Sequence, residues 1–374
     1  MISMTISGNA RPSVFIRNAF SRHVISHLQY LDVSNYNISI HALQPLLMAC
    51  PNLEYLAVCS EGYGIENKAI LATCCPRLRH LYYRPFHVKG SIRPFTLYHN
   101  HDHDEDRPSN TNQMSLRGLH IDDVDAIHFL DQRQIAHLHL EHNWSRMNVS
   151  ALRSVYRLMD QNARTLVLLD LALSPDMLEA LIPSFNSFIR LTSLRISIYL
   201  DLRFTSVVNL NQINAMAAHH PTLNYIAVSV IRNPFFNPVI NIRPPFISEI
   251  ASIPHLKQIE WLSLHTPAIT LTQLFRTATE LERVIVRIGS LTLSWEMFDA
   301  LVRLPLDTLE LASVEQPRLL PDALHGLRHF IDHHAGPLSS MTISGCICSD
   351  RDYDAIAYAY QKLGPRFKFH RVSH

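Results

Sequence analysis

The hydrophobic positions of this chain fall into a short pattern, apolar-x-x-apolar-x-apolar, that recurs from one end to the other. It reads LQYLDV from Leu28, LEYLAV from Leu53, LRHLYY from Leu78, LRGLHI from Leu116 and IAHLHL from Ile135. It continues as LVLLDL from Leu166, LTSLRI from Leu191, LNYIAV from Leu223, IEWLSL from Ile259, LERVIV from Leu281, LDTLEL from Leu306 and LSSMTI from Leu338, and MISMTI opens the chain at Met1. The last apolar pair of each copy brackets a variable position, the alternation of a half-buried strand. Between copies the period lengthens. SALRSVYRLMDQNA and SPDMLEALIPSF place apolar residues at helical spacing behind a serine able to cap the first turn. Several helices then meet one join, ACPNLEYL, CCPRLRHL or HHPTLNYI, in which proline stops the helix just before the next strand. In that register Leu46, Leu71, Met159 and Met216 are equivalent and predict one stripe of core.

Successive copies lie 25 residues apart from Leu28 to Leu53 to Leu78, and most other steps are between 19 and 32. A strand and a helix of that length cannot bury an apolar face alone, so the units must stack; period and core pattern are those of a leucine-rich repeat. The expected fold is α/β: a leucine-rich-repeat solenoid, horseshoe-shaped, with parallel strands on the concave face and helices on the convex face. A single domain of about thirteen irregular repeats over residues 1–374 is expected. Three units are overlong, at 84–115, 199–210 and 231–247, and each insertion follows a strand. The closing YDAIAYAYQKLGPRFKFHRVSH predicts a long last helix and a short basic strand or tail.

Residues flanking the apolar pair of each strand point away from the core and are expected to line the concave face. They are Tyr30 and Asp32; Tyr55 and Ala57; His80, Tyr82 and Arg84; His120 and Asp122; His137, His139 and Glu141. Later copies add Asp170, Arg195, Tyr225, Trp261, His265, Arg283, Arg287 and Glu310 among Ser, Thr and Ala. Tyr, Trp and Arg commonly anchor interfaces, so a protein partner is expected on this face and on the loop rim, with Tyr30, Tyr55, His80, Tyr82 and His120 as its centre.

Composition narrows the alternatives. Lys+Arg 33 against Asp+Glu 32 leaves a net charge of +1, which gives no general attraction to nucleic acid or anionic lipid. No apolar run approaches a membrane span and no signal-peptide pattern opens the chain, so a cytoplasmic or nuclear location is expected. Six cysteines include no C-x-x-C pair, and G-x-S-x-G, H-E-x-x-H and Gly-rich phosphate loops are missing from the sequence. The expectation is therefore a protein that is not an enzyme, needs no cofactor and carries structural cysteines.

Two histidine-rich stretches need separate treatment. YHNHDHDEDRPSN, from Tyr98, is the tip of the first insertion; it has turn formers and no apolar anchor, and reads as a solvated loop rather than a metal centre. HLHLEHNW, with His137, His139, Glu141 and His142, resembles the H-x-H-x-D-H zinc motif of metallo-β-lactamase-like hydrolases. Leu138 and Leu140 already serve as repeat core positions, so a metal-dependent hydrolase stands as the alternative reading.

The Cys-Pro-x-Leu joins at Cys50 and Cys75, the loose period and the scarcity of an inward Asn resemble the cysteine-containing repeats of F-box/leucine-rich-repeat proteins. That resemblance implies substrate recognition in an SCF-type ubiquitin ligase, with an F-box bound to the Skp1 adaptor. No F-box pattern precedes the first repeat here, so it implies a missing or divergent F-box; a scaffold unconnected with ubiquitin is the companion alternative. MISMTI at Met1 puts core positions at the very start, which predicts a longer parent chain or a first coil covered by dimerisation.

Overall fold

Leu31, Val33, Leu56, Val58, Leu81, Tyr83, Leu138 and Leu140, the apolar pairs of the early copies, are essentially removed from solvent. The computed structural model describes residues 2–5, 26–60, 65–85, 116–121, 134–141, 149–200, 220, 222–232, 255–263, 268–288, 291–313, 318–319, 322–345 and 350–371. They form two compact units, Met1–Leu166 and Val167–His374.

In the first unit the strands are β1 (Ile2–Thr5), β2 (Leu28–Asn37), β3 (Tyr55–Ser60), β4 (His80–Pro85), β5 (Gly118–Ile121) and β6 (His137–Glu141). They pair in chain order and every pair is parallel. Parallel neighbours need a crossover, supplied here by α1 (Ile40–Met48) and α2 (Ile65–Cys74), while α3 (Val149–Gln161) follows β6. The second unit contains β7 (Leu168–Leu173), β8 (Ser193–Leu200), β9 (Tyr225–Arg232), β10 (Gln258–Ser263), β11 (Arg283–Ile288), β12 (Thr292–Leu293), β13 (Thr308–Ser313), β14 (Arg318–Leu319), β15 (Ser340–Gly345) and β16 (Phe367–Arg371). Its helices are α4 (Pro175–Leu181), α5 (Ala268–Thr277), α6 (Trp295–Val302), α7 (Ala323–His334) and α8 (Asp350–Leu363). The long strands again pair parallel in chain order, and β12 and β14 make a separate parallel pair. Each unit is thus a leucine-rich-repeat solenoid, with strands on one side and helices on the other.

Serine caps start three of the helices among the described residues, Ser174 being one the pattern names, whereas Ser150 lies inside α3, which begins at Val149. Ser39 Oγ accepts from Ala42 N at 3.2 Å, Ser174 Oγ from Met177 N at 3.5 Å and Ser294 Oγ from Met297 N at 3.4 Å. Of the predicted helix stripe, Leu46, Leu71 and Met159 are buried; Met216 lies outside the described residues.

At each join between helix and strand the backbone closes a turn, three residues wide at Cys50, Cys75 and His220 and four wide at Asn162 and His334. Leu53 N donates to Cys50 O at 3.1 Å, Leu78 N to Cys75 O at 3.0 Å, Leu166 N to Asn162 O at 2.9 Å, Leu223 N to His220 O at 3.0 Å and Leu338 N to His334 O at 3.1 Å. The first residue of each join is buried. Where it is cysteine, burial pushes the Cys50 and Cys75 thiols up to about 12, so they stay protonated and pack as small apolar groups. Where it is polar, the side chain reaches back along the chain to a backbone group. Asn162 Oδ1 accepts from Ile135 N at 2.8 Å, His220 Nε2 donates to Phe185 O at 2.8 Å and His334 Nε2 to Val302 O at 3.1 Å. The start of the join therefore ties successive repeats together with either packing or a buried hydrogen bond.

The register corrects one copy. Gln258 lies opposite Tyr225, Ile259 opposite Ile226 and Trp261 opposite Val228. The repeat accordingly begins at Leu256 as LKQIEW, three residues before the IEWLSL frame. Trp261 occupies the last apolar position, 2% exposed, and is a core residue. The basic end is a further strand, with Phe367 opposite Met341 and Phe369 opposite Ile343.

Candidate partner-binding face

Register places Tyr30, Tyr55, His80, Gly118 and His137 side by side across β2 to β6, one per strand. Strands about 4.8 Å apart set flat side chains at stacking distance. Tyr30 and Tyr55 rings are 6.2 Å apart, tilted by 42°. Tyr55 and His80 stack at 4.3 Å with 4° between their planes. Gly118 then interrupts the row, and the His80 ring leans into the space: a Cβ at residue 118 would meet His80 Nδ1 at 2.2 Å. Across the glycine His80 and His137 approach to 6.0 Å. A neighbouring column carries Asp32, Ala57, Tyr82, His120 and His139.

The electrostatics keep this row uncharged at its centre. The His80 imidazole is pushed down to about 3, first by burial and then by His137, Arg117 and Arg79. It is neutral at physiological pH and meets Tyr55 as an uncharged ring. The Tyr30 phenol is held up by burial and by Asp32, which accepts its hydrogen bond. Asp32 is fixed in turn, with Oδ1 accepting from Ser34 N at 2.9 Å and Ser34 Oγ at 2.7 Å. His139 Nε2 lies 3.9 Å from a Glu141 carboxylate oxygen.

Exposure along the face differs from the expectation. Tyr30 is 8% and Tyr82 5% exposed, and Ala57 is closed off at 1%. The Tyr30 ring lies against Tyr55 on the adjacent strand, so pointing away from the helices does not make a side chain accessible. Tyr55, His80, His137, His139, Glu141 and Asp32 are half-buried. Arg84 faces Cys59 in the strand register, His120 lies between Tyr82 and His139, and Asp122 is outside the described residues. Gly118, unnoticed as a site residue in the pattern, shapes the row through its missing side chain; a glycine inside a strand is the signal that marks it.

The same side of the second unit's sheet carries ion pairs and a tyrosine–arginine contact. Arg195 Nη2 donates to the Tyr225 hydroxyl at 2.9 Å, its guanidinium lies 5.9 Å from that ring's centre, and Asp170 is 3.8 Å away. Arg287 grips Glu310 with two bonds of 2.5 and 3.0 Å, and Arg283 lies 3.8 Å from Glu260. Burial pushes the Tyr225 phenol up to about 12. Glu260 was hidden by the IEWLSL frame; Pro254-His255-Leu256, a further Pro-x-Leu join, identifies the correct one. His265 lies outside the described residues.

His137 and His139 share one face of β6, as the hydrolase reading requires, whereas His142 lies outside the described residues. Among the described residues no group of three or more His, Cys, Asp or Glu is placed to hold a metal ion. The loop carrying His99, His101 and His103 lies outside them, as do the insertions 84–115 and 231–247 beyond Pro85 and Arg232 and before Leu116.

These features define the class as a leucine-rich-repeat fold. No family model matches the chain, and no curated protein matches it. Among solved structures it is similar to the crystal structure of the TLR13–ssRNA13 complex at 14% identity and a TM-score of 0.35. That alignment covers 95% of this chain and 38% of the other. No helix among the described residues is long and apolar enough to cross a membrane.

Proposed function

We propose that the chain is a protein-recognition module, with no catalytic role, whose partner docks on the face of the first unit centred on Tyr55, His80 and His137. The observation that carries this reading is the set of rings Tyr30, Tyr55, His80 and His137 on β2, β3, β4 and β6, with Gly118 of β5 between the last two. Aromatic side chains set on a rigid sheet offer contact area at little cost in conformational entropy, a hallmark of interface anchors. The finer reading is substrate recognition in an SCF-type ubiquitin ligase in the cytoplasm or nucleus, the two units acting as one repeat domain; it rests on the Cys-Pro-x-Leu joins.

Affinity capture with the wild-type chain and with a Tyr55→Ala, His137→Ala variant tests the face. Loss of specific captured proteins, with unchanged circular dichroism, supports it; identical capture by both chains overturns it. Binding of purified Skp1 adaptor supports the ligase reading, and specific partners captured without Skp1 favour a scaffold.

A further inference from the structure

We propose that His329 and His333 of α7 form a two-imidazole site for a divalent transition-metal ion of the copper–nickel–zinc class. Residues four apart lie on one face of a helix. Here the two ring centres are 4.5 Å apart. Metal–imidazole bonds are about 2 Å long, so two imidazoles at that separation can reach one ion with small side-chain rotations.

The arrangement is held from both sides. His333 Nδ1 is 2.9 Å from the carbonyl oxygen of His329. A carbonyl can only accept, so Nδ1 carries the proton and the lone pair belongs to Nε2. Metal-bound histidines are oriented by this same kind of contact on their second nitrogen. On the other side Trp295 of α6 stacks against His329, with ring centres 5.4 Å apart and planes at 23°. His333 is exposed and His329 half-buried, so an ion can enter from solvent. Two protein ligands leave the remaining positions to water. Nitrogen donors select against Mg2+ and Ca2+, which prefer oxygen cages, and place Cu2+ above Ni2+ and Zn2+ in affinity.

Trp295 supplies the reporter. The full chain is titrated with Cu2+, Ni2+ and, as control, Mg2+ while tryptophan fluorescence is read, and Trp295→Phe separates its signal from those of Trp144 and Trp261. The expected result is saturable one-to-one quenching of Trp295 by Cu2+ at the lowest concentration, then by Ni2+, and none by Mg2+. His333→Ala removes it and His325→Ala, one turn earlier, retains it. Quenching of Trp295 that survives both His329→Ala and His333→Ala, or that never saturates, overturns the proposal. Unchanged circular dichroism in these surface variants separates loss of the site from loss of the fold.

Discussion

His80 occupies the volume that a side chain at residue 118 would need, its Nδ1 only 2.2 Å from where a Gly118 Cβ would sit. Gly118→Ala must therefore swing the imidazole away and break its stack on Tyr55. Overpacking of this kind costs about 1–3 kcal/mol. Chemical denaturation should show that loss in the single variant and little further loss when Gly118→Ala is placed in a His80→Ala background, because the clash has been removed. Equal costs in both backgrounds would show that residue 118 is constrained by something other than His80.

The same imidazole makes the first unit sensitive to acid. Its folded-state value is lowered from 6.5 to about 3, so below pH 6.5 the unfolded chain takes up a proton that the folded chain refuses. Stability attributable to His80 is intact above pH 6.5 and falls as the pH drops towards 3. One such proton contributes a slope of at most about 1.4 kcal/mol per pH unit. Denaturation midpoints measured across that interval should decline less steeply for His80→Gln than for the wild-type chain.

Most of the fold was legible because a strand's alternation and a helix's spacing are both strong signals, and each leucine frame such as LEYLAV or LERVIV met its neighbours in register. One place failed for a physical reason and another stayed open. Around β10 the residues Leu256, Ile259, Trp261, Leu262 and Leu264 satisfy two overlapping frames, and only pairing with β9 selects one. At β16 phenylalanines replace leucines and glycine replaces the first apolar residue, so the sequence left strand and tail both open and pairing with β15 selects the strand. The site was half legible. Alternation told which side of the sheet Tyr30, Tyr82 and His137 take, but accessibility depends on the bulk of the side chain one strand away.

Trp261 provides a direct test of the corrected frame. As a core residue 2% exposed, Trp261→Ala should cost about 3–5 kcal/mol of stability. Gln258, half-buried beside Tyr225 and Arg283, should tolerate alanine with a change of about 0.5 kcal/mol or less. Thermal melts of the two variants would reverse in order if Trp261 instead lay on the solvent side of the sheet.

Arg287 and Glu310 make the best-formed ion pair of the second unit, yet the arginine side chain is 51% exposed. Solvent screening limits such a pair, and its coupling in a double-mutant cycle should be about 0–1 kcal/mol. A much larger coupling would mean that the pair is shielded by a neighbour. High salt should reduce the measured value, as expected for exposed charges.

Asn162 carries more, because both ends of its amide are used inside the protein. Its Oδ1 accepts from Ile135 N at 2.8 Å and its Nδ2 donates to Leu158 O at 2.7 Å. The joins at Cys50 and Cys75 open on a small apolar group, whereas here the backbone amide of Ile135 relies on the asparagine. Asn162→Ala leaves that buried N–H without its acceptor, at a cost of about 1–3 kcal/mol. Asn162→Asp restores an acceptor but places a carboxylate beside the Leu158 carbonyl in a buried site, so it should not rescue stability at neutral pH. Hydrogen exchange gives the decisive reading: the Ile135 amide should lose protection in Asn162→Ala well before the amides of Leu138 and Leu140. Uniform loss across β6 would mean that the substitution acts through global unfolding and not through this bond.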